Sequence, residues 1–88
     1  MMLTREGEVL KVAGPMNIDS AAALLSQSSG MLTDVQVVDL SAVTEVDSAA
    51  VSLLLEWRRQ VKTLRFANLP VALSSLAALY GVTDLIPQ

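Results

Sequence analysis

Residues 35–57 read VQVVDLSAVTEVDSAAVSLLLEW, and the hydrophobic period changes partway along them. Residues 35–40 are a β-branched run with almost no alternation, the pattern of a strand covered on both faces, and they predict the central strand of a sheet. After residues 41–47 the spacing turns helical, with Ala50, Leu53, Leu54 and Trp57 at i, i+3, i+4 and i+7. Arg58, Arg59 and Gln60 follow, where cations suit the C-terminal end of a helix dipole. A strand, a loop and a helix in this order set a helix N-terminus beside the carboxyl end of a strand. Asp47 and Ser48 stand at that junction.

The flanking sequence decides what kind of sheet this is. Upstream, residues 2–4 and 8–13 are short β-like runs around Arg5-Glu6-Gly7, a predicted hairpin. Gly14-Pro15 should stop the second run, because proline has no N–H to give the ladder. Asn17 or Asp19 can then cap a helix over about residues 20–31, with Ile18, Ala21, Ala22 and Leu25 on one face. Downstream, residues 62–67 hold Leu64 and Phe66 in a short strand. Pro70 sits at a first helical position, Leu69, Leu73, Leu76 and Tyr80 form one stripe, and Gly81 is a natural C′ residue. The order β-β-α-β-α-β-α predicts an α/β fold with a mixed four-stranded sheet, about three helices and helical crossovers between parallel strands. It reads as one domain over residues 1–88, with no repeat or linker.

Composition then narrows the chemistry. The chain is 52% hydrophobic but only 3% aromatic, so its core must be aliphatic, with Trp57, Phe66 and Tyr80 as isolated large fillers. A chain of 88 residues hides only roughly 60–65% of its unfolded surface, which leaves room for an apolar patch that a partner would cover. The net charge is −3 and the basic residues are dispersed apart from Arg58-Arg59, so nucleic acid is not an expected partner. With no Cys and no His, disulfides, zinc–thiolate sites and the commonest neutral-pH base are excluded. MMLTREGEVLKV lacks the apolar core of a signal peptide, and no run approaches the ~18–20 residues of a membrane span. A cytosolic protein without direct membrane insertion is expected.

Two readings meet at the junction. Ser is among the best N-caps, contributing ~1 kcal/mol, but Asp47 can be the cap instead and leave Ser48 exposed in the first turn. At 100° per residue, Ser48, Ser52 and Arg59 line one side of the helix, and Val51 and Leu55 sit at its edge, away from the Trp57 face. Either loops cover those aliphatic side chains, or they belong to a helix-in-groove docking face with Ser48 at its head. Hydrolysis at Ser48 lacks a base, and Asp39 with Asp47 reads as a turn and a cap rather than a metal pair. No Gly-rich phosphate loop is present, so no cofactor is expected and any ATP should belong to a partner.

VVDLSAVTEVDSAAVSLLLEW resembles the signature of STAS domains, the fold of anti-sigma factor antagonists. The shared features are a central strand ending in Asp-Leu-Ser, a Val-Asp before a hydroxyl residue, and an aliphatic helix. Within that family the chain looks most like the MlaB-type subunits of the bacterial Mla phospholipid transporter, which also have a counterpart to LAALYGVTDLIP, residues 76–87. Ala49 and Ala50 depart from the glycine that often follows the hydroxyl. The resemblance implies a STAS-type fold and a non-catalytic cytosolic subunit. Such a subunit supports the ATPase of an inner-membrane ABC transporter that maintains outer-membrane lipid asymmetry, and meets the permease only indirectly. It also implies a contact surface of Asp47, Ser48, Val51, Ser52 and Leu55. The alternative is an anti-sigma factor antagonist switched by phosphorylation at Ser48.

Overall fold

The computed structural model describes residues 2–88. Two strands open the chain, β1 (Met2–Glu6) and β2 (Val9–Met16), followed by α1 (Ala21–Ser28), β3 (Val37–Val46), α2 (Ser48–Gln60), β4 (Arg65–Ala67) and α3 (Val71–Leu79). A 3-10 turn, Thr83–Leu85, precedes the C-terminus. The sheet order is β1-β2-β3-β4, with β1 antiparallel to β2 and both later pairings parallel. This is the mixed four-stranded α/β sheet read from the sequence.

Register shows why the sheet has an inside. Leu10, Val38 and Phe66 are partners across β2, β3 and β4, and all three are buried. The next row, Lys11, Asp39 and Ala67, points the other way and is half-buried or exposed. The helices cover only the first face, where Leu24, Leu54, Trp57 and Leu73 join the strand residues in one core. The expected strand covered on both faces is thus corrected. Val37 lies on the open face, half-buried beside Val9, and Val35, which completes the apolar run, is buried before the strand begins.

Both inner strands outrun their predicted ends. β2 passes through Gly14-Pro15, and β3 continues to Val46 instead of stopping near Leu40. The missing N–H of Pro15 is accommodated by an irregularity, since the pairing shifts register between Gly14 and Pro15 and once more between Lys11 and Ala13. Gly14, at φ 90, takes a backbone conformation that a side chain would strain. The extension matters for function because it carries β3 directly to the head of α2.

Other differences from the sequence reading have local causes. α1 ends at Ser28 rather than near Met31, where a serine-rich segment turns its hydroxyls and N–H groups back on the last turn. Ser28 Oγ donates to the Leu25 carbonyl, and the Ser29 N–H donates to that of Ser26. Pro70 is the residue just before α3 rather than its first position. Tyr80 is no core filler, being 52% exposed, whereas Trp57 and Phe66 fill the core as expected. Gly81 does end α3, at φ 68, with the Val82 N–H bonded to the Ala77 carbonyl and its own N–H to that of Ala78, a Schellman arrangement. The tail then folds back: Ile86 is buried, and the Pro87 carbonyl accepts from the Phe66 N–H at 2.8 Å. Among the described residues no helix is long and apolar enough to cross a membrane.

Candidate functional site

The head of α2 is built by Asp47. Its backbone is extended (φ −140, ψ −169), and its two carboxylate oxygens are both engaged. Oδ1 accepts from the Ala49 N–H at 2.8 Å, the N-cap bond, and Oδ2 accepts from the Ile18 N–H at 3.0 Å. One carboxylate therefore caps α2 and ties it to the segment leading into α1. Asn17 completes the tie, its amide donating to Glu45 on β3 and its Oδ1 accepting from the Asp19 and Ser20 N–H groups. Ser20 lies behind this turn, its hydroxyl donating to the Pro15 carbonyl at 2.8 Å.

Because Asp47 is the cap, Ser48 is released from that task. It is the first residue of α2 and is exposed, with Ser52 exposed one turn further along. Of the two aliphatic residues that the helical wheel leaves at the polar edge, the structure separates one from the other. Leu55 is half-buried, but Val51 is only 4% exposed and belongs to the core. The wheel misplaces Val51 because α1 and the loop before it close over that side of the helix, which periodicity within α2 cannot register.

A trough runs along the junction of α1 and α2, with a volume of about 770 Å³. Ile18, Ala21, Ala22 and Leu25 form one wall, so they do share a face as read from the sequence. That face is the open one, with Ile18 75% exposed, while Leu24 and Ser28 turn inward. Ser48, Ser52, Leu55 and Glu56 form the other wall, Val51 sits in the floor, and Tyr80 and Val82 close one side. Sequence reasoning missed Tyr80 and Val82 as neighbours of α2. The signal was present as an apolar stripe on α3 longer than the core needs.

The arrangement offers binding chemistry rather than a reacting group. No titratable base lies in hydrogen-bond contact with the Ser48 hydroxyl among the described residues. Asp39 and Asp47 stand near opposite ends of β3, Asp47 with both oxygens engaged and Asp39 with its Oδ1 accepting from the Ser41 N–H and the Asn68 amide. No group of three potential metal ligands gathers among the described residues. Asn68 and Ser41 together hold the Asp39 carboxyl below the usual carboxylate range, Asn68 contributing most.

An open-faced mixed sheet with helices on one side, and a capped helix head presenting a hydroxyl, define the STAS class of domain. The solved structure of the anti-sigma factor antagonist SpoIIAA in its unphosphorylated form has the same fold. It superposes with a TM-score of 0.69 over 97% of this chain and 84% of that one, at 14% identity. The crystal structure of Mglu also contains a similar unit, with a TM-score of 0.55 at 25% identity over 80% of this chain, which spans only 19% of that one. No curated protein matches the chain. The family model described as Mlab, STAS domain matches residues 1–87, and the chain belongs to that family.

Proposed function

We propose that this chain is a non-catalytic cytoplasmic subunit that binds the ATPase of an Mla-type phospholipid ABC transporter, supporting its part in outer-membrane lipid asymmetry. It sits beside the inner membrane through that complex and meets the permease only indirectly. Membership in the MlaB-type family supports the transporter assignment. The observation that carries the docking site is the exposed hydroxyl edge of α2, Ser48 and Ser52, bordering an apolar trough that the domain leaves open. Asp47 sets the helix head, Leu55 supplies the apolar anchor, and Val51 supports the floor from within the core.

Leu55→Asp tests this reading, because it places a charge in the contact while altering a side chain that is only half-buried in the free domain. Burying an aliphatic side chain of this size stabilises association by about 1.5–3 kcal/mol. The variant should therefore fold, as judged by circular dichroism, and lose co-purification with the ATPase. Undiminished co-purification would sink the assignment. Val51→Asp is unsuitable, since a charge at that buried position unfolds the domain.

A second reading is favoured by one feature, the freedom of the Ser48 hydroxyl from capping, which a kinase acting on an anti-sigma factor antagonist would require. A phosphate there adds about −1.5 to −2 charge beside Asp47 and would disrupt or remodel docking. Mass spectrometry on protein from its native cells decides it. A phosphorylated Ser48 that changes with growth conditions supports the switch, and a hydroxyl unmodified in all of them removes it.

A further inference from the structure

We infer that the trough between α1 and α2 receives an amphipathic helix of the partner protein, and that this helix carries Lys or Arg at the end lying over the head of α2. The inference rests on the docking reading above and adds the chemistry of the occupant. Its walls are set by Ile18, Leu25, Ser52, Leu55, Tyr80 and Val82, an apolar lining with two helices as its sides. Past their first turns the backbone groups of α1 and α2 are spent inside those helices, and no strand borders the trough. An extended peptide seated there would bury N–H and C=O groups with nothing to pair them, whereas a helix satisfies its own. α1 has eight residues, about 12 Å of wall, so roughly two turns of a partner helix make the contact.

Charge sets the direction. Residues 12–57 contain no Lys or Arg, yet they contain Asp19, Glu45 and Asp47. Those three acids meet at the head of α2: Asp47 bonds the Ile18 N–H, Glu45 bonds Asn17, and Asp19 follows Ile18 with its side chain exposed. At the other end of α2, Glu56 is taken up by Arg59 at 2.7 Å, and Arg58 lies alongside. The trough is thus flanked by acids at the α2 head, while Glu56, which lines it further along, is taken up by Arg59, so the head is complementary to a helix whose Lys or Arg residues pass over it. An anionic lipid surface has the wrong sign for that end.

Calorimetric titration against the Mla-type ATPase subunit at about 50 and 300 mM salt tests the inference, since exposed charge pairs are screened across that range. Asp19→Lys with Glu45→Lys alters two exposed side chains, and because Glu45 also accepts from the Asn17 amide, the variant is compared only if its circular dichroism matches the unaltered chain. It should weaken binding about ten-fold or more at low salt and remove most of the salt dependence, with Asp19→Asn and Glu45→Gln falling between. If Leu55→Asp abolishes binding while the charge variants bind like the unaltered chain at both salts, the basic end is refuted and the docking reading stands. If the unaltered chain does not bind, or Leu55→Asp binds equally well, the docking reading falls and this inference with it.

Discussion

Asp47 holds two elements with one carboxylate, and Ser48 beside it holds none. Asp47→Ala should therefore destabilise the domain by about 1–2 kcal/mol, from the lost cap and the orphaned Ile18 N–H, while Ser48→Ala should change stability by less than about 0.5 kcal/mol. Urea midpoints compare the two, and a larger cost at Ser48 would reverse their roles. The sequence left these residues undecided because Asp and Ser are equally good caps, and only the backbone angles and the distant Ile18 N–H separate them. Asp39 offers a pH test. Its folded pKa is depressed by Asn68 and Ser41, so its contribution is present above its ordinary value of 3.8 and is lost as pH falls through the lower folded value. The stability advantage of the native chain over Asp39→Asn, followed by urea unfolding from about pH 6 to pH 3, should shrink at the acid end. A constant difference would remove that role.

At the scale of elements, α1 and α2 are locked by a buried hydrogen bond, the Trp57 indole N–H donating to Ser28 Oγ at 2.8 Å. Ser28→Ala should cost about 1–3 kcal/mol by stranding that donor, and much less in a Trp57→Phe background, where no donor remains. Equal costs in the two backgrounds, measured by chemical unfolding, would show that the bond is not what joins the helices. The type and order of the strands and α-helices were legible, most clearly where the period is strong, as in the wholly buried Ala50/Leu53/Leu54/Trp57 stripe. Their ends were less so. β3 runs to Val46 through pairing with Gly14, Pro15 and Met16, a long-range match that the polar residues Ser41, Thr44 and Glu45 conceal. The outer face of α1 was read as a set, but whether it is covered was not legible, since a helix period shows which residues share a face and not which neighbour covers it.

For the whole molecule, an open sheet face and the apolar trough between α1 and α2 remain after the core is made. The sheet face carries the ion pair of Lys11 and Glu6 at 2.8 Å and is a solvated surface, with Glu6 holding the Lys11 pKa above its usual value. The trough is lined mostly by apolar side chains and reaches exposed Tyr80 after α3. The lining of the trough was therefore half legible: Ser48, Val51, Ser52 and Leu55 stood out in the sequence, while α1 and Tyr80 joined them only through tertiary packing. Amide hydrogen exchange of the domain, with and without the Mla-type ATPase subunit, maps the covered surface directly. The docking account predicts added protection in residues 18–25 and 48–56 and none in β1 or the outer part of β2. Protection confined to the sheet strands, with both helices exchanging as they do in the free domain, would contradict it.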